Sequence, residues 1–78
     1  MDEKHIIEYI RKTLQTTGYK PMSRVTTNKN SIHITGYLES FDENGGTVRL
    51  VVYGKDAGKR VQDFSFNLQD IKSIEDAI

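Results

Sequence analysis

An alternating run with a glycine at its centre sets the tightest limit on how this 78-residue chain folds. In "SIHITGYLESF", residues 31–41, Ile32, Ile34, Gly36 and Leu38 fall on one face of an extended strand. His33, Thr35, Tyr37 and Glu39 fall on the other, because successive strand side chains point to opposite sides. A glycine inside a strand marks a kink or a close approach of another backbone. "DENGG" then turns the chain, with Asp42 opening the turn. Residues 47–53 return with Val48, Leu50 and Val52 inward and Val51 outward. A long strand that bends midway and immediately pairs with its successor points to a curved sheet rather than a flat one.

The flanking segments fit that plan. Ile6, Ile7, Ile10 and Leu14 recur at helical spacing and predict an amphipathic helix over residues 2–16. Asp2 and Glu3 suit its positive end, Arg11 and Lys12 its negative end. Gly18 and Pro21 stop it. Residues 22–27 read as a short strand, "NKN" as a turn whose asparagines tolerate positive φ, residues 61–66 as a fourth strand, and "NLQDIKSIEDA" as a brief turn and a last strand. The predicted class is mainly β within α+β, a single domain over residues 1–78. An N-terminal amphipathic helix precedes a strongly bent five-stranded antiparallel barrel over about residues 22–76, of the small SH3-like kind. The expected interior is Ile32, Ile34, Leu38, Val48, Leu50, Val52, Phe64, Phe66, Leu68 and Ile71, capped by Ile6, Ile10 and Leu14.

At this length the core is small, since such a chain buries roughly 60% of its unfolded surface. Absence of cysteine removes disulfides and thiolate metal sites, and suits a reducing compartment. No apolar run approaches the roughly 20 residues needed to span a bilayer, and the start of the chain is acidic. Together these suggest a cytoplasmic protein with no membrane partner. Eleven basic residues balance eleven acidic ones. That balance argues against a dedicated duplex-DNA binder, which draws its affinity from a net basic surface. It also leaves little net repulsion between copies, so a homo-oligomer is open to it.

Ile34, Gly36, Leu38, Phe41 and Asp42, in the pattern I-x-G-x-L-x-x-F-D, resemble the first motif of the Sm-like family of Hfq- and LSm-type proteins. The resemblance covers about residues 22–75. It implies a helix followed by a bent five-stranded barrel, assembly into rings through the barrel's edge strands, and binding of RNA. In that family a second motif, carrying an Arg-Gly, Lys-Gly or Lys-His pair, lines the RNA pocket. Residues 66–74 contain no such pair, and "ENGG" is longer than the family's segment after the aspartate. A second resemblance is to the Rho-binding antiterminator family. It rests on the same element order, on "LVV", on a glycine-containing tip and on Leu68, Ile71 and Ser73. It implies a regulator or inhibitor of a larger cytoplasmic machine.

Chemistry-bearing patterns are sparse. His5 and His33 have no partner at catalytic or metal-ligand spacing, and the acidic residues do not follow a calcium loop. "AGKR" lacks the Ser/Thr and the following helix of a phosphate loop. The chain therefore reads as a non-enzyme without cofactor or metal. Cations mixed with aromatics are the combination that binds single strands. Lys55, Lys59 and Arg60 gather near Tyr53 at one hairpin tip, and Tyr37 and Arg49 lie on the outward strand face. These six are the candidate contacts for single-stranded RNA. The same face, rich in aromatics and arginine, equally suits a protein partner.

Overall fold

The structure, a computed structural model, describes residues 1–29, 31–53 and 60–77; for Tyr53, Arg60 and Val61 the description is confined to the backbone. Helix α1 spans Glu3–Leu14 and is followed by strands β1 (Ser23–Thr27), β2 (His33–Asp42), β3 (Thr47–Tyr53), β4 (Arg60–Asn67) and β5 (Ile71–Asp76), with a 3-10 turn at Leu68–Asp70. All strand pairings are antiparallel, in the order β4-β3-β2-β1-β5. The helix-then-five-strand plan is therefore as the periodicity predicts. The ladder runs in a line, with β4 and β5 at its edges. Among the described residues these edge strands are connected by the 3-10 turn and by no ladder.

The helix begins where Asp2 accepts the His5 N–H at 2.9 Å, the N-cap contact that satisfies one of the free first-turn donors. That bond, and the His5 ring nitrogen 2.6 Å from the same oxygen, hold the Asp2 carboxyl below the usual carboxylate range. The helix ends at Leu14, two residues short of the expected end, with Gln15 as its C-cap, and Gly18 then takes φ +79°. In the β1–β2 turn the positive φ (48°) falls on Ser31 rather than on Asn28.

Gly36 is the hinge of the sheet. Residues 33–36 of β2 pair with β1, from Thr26↔His33 to Ser23↔Gly36. The next residue, Tyr37, pairs with Val51 of β3. A Cβ on Gly36 would stand 2.7 Å from the Val51 carbonyl oxygen, so the two backbones meet at a distance that only glycine permits. A bulge between Leu38 and Ser40 then shifts the alternation. It lets both Leu38 and Phe41 pack toward the core although they are three residues apart.

Ile6, Ile10, Val25, Leu38, Val48, Leu50, Leu68, Ile71 and Ile74 form one core between helix and sheet, with Ile34, Phe41, Phe64 and Phe66 half-buried against it. Three expectations need correction. Ile32 is 51% exposed, because the β2 ladder starts only at His33 and the preceding residue belongs to the turn. Val51, expected outward, is 1% exposed. It lies beside the bend, where Lys20 from the helix–β1 connection and Tyr37 share its surroundings. Val52, expected inward, is half-buried. Val25 and Ile74, whose strands are too short to show a clear period, are fully buried core members in addition to those expected.

One polar clamp fixes the helix to the sheet. The Tyr9 hydroxyl donates to Asp76 Oδ1 at 2.7 Å, so the Ser23 hydroxyl, 2.8 Å away, donates to it. Ser23 is fully buried. Burial pushes the Tyr9 phenol up, the hydrogen bond to Asp76 adds to this, and the Ser23 bond opposes it. Tyr9→Phe leaves the Ser23 hydroxyl without a partner, which costs about 1–2 kcal/mol. Urea unfolding near neutral pH measures that loss. Because the folded phenol value is raised, its contribution is complete below the ordinary value and disappears as pH rises through the raised one. The difference between wild type and Tyr9→Phe therefore shrinks in strongly alkaline buffer. Equal midpoints at neutral pH would show that the clamp adds nothing.

Candidate functional site

The six residues singled out from sequence divide between two situations. Tyr37 sits half-buried on β2, beside a depression of about 320 Å³ that it shares with Lys20, Glu39 and Val51. Arg49 is exposed on β3, with Nη2 3.7 Å from Asp63 Oδ2 on β4. The β3–β4 ladder sets Tyr53 opposite Arg60. Their side chains, and Lys55 and Lys59 entirely, lie outside the described residues. The outward face proposed for Tyr37, Arg49, Val51 and Tyr53 is interrupted by the burial of Val51.

Electrostatics further weakens a purely cationic surface there. Arg11 meets Glu43 at 2.6 Å, Arg24 lies 3.7 Å from Glu75, and Arg49 3.7 Å from Asp63. Each arginine whose side chain is described thus faces a carboxylate. His33 Nδ1 lies 2.9 Å from Thr26 Oγ1, and His5 is held by Asp2. Among the described residues no group of three His, Cys, Asp or Glu side chains could hold a metal, and no helix is long and apolar enough to cross a membrane.

A larger concavity than the one beside Tyr37 lies elsewhere. A cavity of about 520 Å³ opens between α1, the β2–β3 turn and the segment joining β4 to β5. Its apolar part comes from Ile7 and Phe41, both half-buried, and from buried Leu68. Its outer part carries three exposed side-chain amides, Asn44, Asn67 and Gln69. Arg11 is the one cation among its described lining residues, with Glu3 and Glu43 as the acids.

Local structure places these groups. The Asp42 carboxylate accepts the N–H groups of Asn44 (3.1 Å) and Gly45 (3.2 Å), which sets the turn. Leu68 N–H donates to the Gly46 carbonyl at 2.8 Å and ties that turn to the 3-10 turn. Asn28 at the end of β1 holds the other side, its amide donating to the Gln69 carbonyl and its backbone N–H to the Asp70 carbonyl, both at 2.8 Å. The cavity is therefore walled by hydrogen-bonded turns. Sequence reading missed it because Asn44 and Asn67 are far apart in the chain; the signal was the polar "DENGG" and "NLQD" at the two turns.

Comparison with protein-family models, curated proteins and solved structures finds no significant match to the chain.

Proposed function

We propose that this chain is a small non-enzymatic module that binds single-stranded RNA, taking an unstacked base into the 520 Å³ cavity. The observation that carries the reading is the meeting of Asn44 with Asn67 and Gln69 around one apolar-floored cavity. In the Sm-like family a second motif lines the RNA pocket, and residues 66–74 lack it, so the reading rests on the amides that the segments after Asp42 and after Phe66 bring to this cavity. Primary amides offer a donor and an acceptor side by side, the pattern that reads base edges, and the apolar floor suits a base's flat face. The six residues chosen from sequence would serve the strand beyond the pocket, with Lys55, Lys59 and Arg60 nearest in chemistry to its phosphates.

The paired arginines set the expected character of the binding. Each described arginine already faces a carboxylate, so the salt dependence comes chiefly from lysines, affinity falling by about 0.7 in logarithmic slope per phosphate neutralised. Fluorescence anisotropy with labelled oligouridylate and oligoadenylate tests this. Asn44→Ala and Asn67→Ala each lower affinity about two- to tenfold, the equivalent of one lost hydrogen bond. Changing Lys55, Lys59 and Arg60 together to alanine flattens the salt slope. No binding of either oligomer at low salt would end the reading.

A protein-interaction module, a regulator or inhibitor of a larger cytoplasmic machine, is favoured by a different observation: among the described residues β4 and β5 are the edge strands, and the chain carries no net charge. Mass in solution separates the two. A closed ring of about six or seven copies, as the Sm-like resemblance implies, uses those edges between copies; a monomer leaves them for a partner.

A further inference from the structure

Arg11 enters the cavity from the last turn of α1, and Glu43 enters from the β2–β3 turn. The pair spans the opening between elements 32 residues apart in the chain. Both Nε and Nη2 of Arg11 lie 2.6 Å from the same Glu43 oxygen, Oε1. That edge of a guanidinium is a two-donor fork, matched equally to a carboxylate and to a phosphate. Both side chains are about half exposed, at 55% and 54%, so solvent and ligands reach them. An ion pair between two half-exposed side chains in water is weak. It is strong enough to set the resting geometry and weak enough to be exchanged.

We infer that Arg11 is the phosphate contact of this cavity, and that Glu43 occupies its fork until a phosphodiester displaces it. The inference rests on the RNA-binding reading and deepens it. The base enters between the amides and the apolar floor, and the adjoining phosphate takes the place of the Glu43 carboxylate on Nε and Nη2. The exchange has a built-in cost. With two carboxylates to one guanidinium, the cavity as it stands carries excess negative charge among its described lining residues. Glu43 therefore selects against anions that bring no base to offset its displacement.

Variants at this pair give opposite signs, which a merely structural pair would not. Glu43→Gln keeps the size and an acceptor oxygen while removing the competing charge. It raises affinity for labelled oligouridylate by about two- to fivefold, the equivalent of an exposed pair. Arg11→Ala lowers affinity and flattens the salt slope by about 0.7. In the double variant the Glu43→Gln gain vanishes, because its beneficiary is gone. Circular dichroism melts confirm that each variant is folded. Inorganic tripolyphosphate, a phosphate ligand without a base, is the second probe. If oligouridylate binds but Glu43→Gln leaves its affinity unchanged, or lowers it, the exchange is overturned while the RNA reading stands. If oligouridylate fails but tripolyphosphate binds Glu43→Gln more tightly than wild type, with the gain lost in the double variant, the phosphate contact stands and the RNA reading fails. Binding of neither probe by any variant overturns both.

Discussion

Ile10→Ala is expected to remove about 3 kcal/mol of folding free energy, the middle of the range for an isoleucine truncated in a core. Ile10 is fully buried, on the helix face turned to the core with Ile6, in the same cluster as Leu38 of β2 and Ile74 of β5. Truncation loses the transfer energy of the removed atoms and leaves a cavity that a helix held by its own hydrogen bonds cannot collapse to fill. Domains of this size rarely hold more than about 3–5 kcal/mol in total. The variant should therefore be partly unfolded in water at room temperature, where wild type is native. Urea titration followed by circular dichroism measures it, with half-buried Leu14→Ala as the comparison that should cost clearly less. A loss under about 1 kcal/mol at Ile10 would mean that the helix is not docked on the sheet as described.

Gly36→Ala should cost about 2 kcal/mol and Gly36→Val more. Two effects compete. Alanine lowers the entropy of the unfolded chain, a gain of about 0.4–1 kcal/mol where the backbone accepts it. Against this, the new Cβ would press on the Val51 carbonyl oxygen at 2.7 Å and the carbonyl carbon at 3.2 Å. The obstacle is main chain, in a strand held there by the buried side chains of Leu50 and Val51. It cannot rotate away as a side chain would, so the overpacking cost wins. Thermal and urea unfolding read the difference. A Gly36→Ala protein as stable as wild type would show that β2 and β3 can separate at the bend without loss.

The same glycine shows what could be read from the amino-acid order and what could not. A glycine in an alternating run already implied a bend or a close approach, and the structure has the approach at Val51. The helix was legible from its Ile6–Ile10–Leu14 stripe, and the turn from the Asp42 carboxylate that caps it. Strict alternation failed where the sheet stops being regular. The bulge after Leu38 resets the period in β2, and Val51, beside the bend at Gly36, is buried although alternation placed it outward. Ile32 failed for the opposite reason, since it precedes the ladder. The cavity was legible only as two polar turns, not as one site. Its walls are set by hydrogen bonds between turns, Leu68 to Gly46 and Asn28 to Gln69, and such contacts leave no local period. Arginine pairing was likewise hidden, because Arg49 and Asp63 become neighbours only through the β3–β4 register.

The β1–β5 ladder has a consequence for how the chain is made. It joins Ser23 to Asp76, and Ala77 N–H adds a bond to the Met22 carbonyl. On the ribosome, β2, β3 and β4 emerge as neighbours and can zip in order, each finding its partner a short loop away. β1 waits for residues made some fifty positions later, and until they arrive one of its two edges stays open and the buried faces of Val25 and Ile74 have not met. β5 is thus the strand that completes the core, and a chain halted before it exposes apolar surface rather than a smaller finished fold.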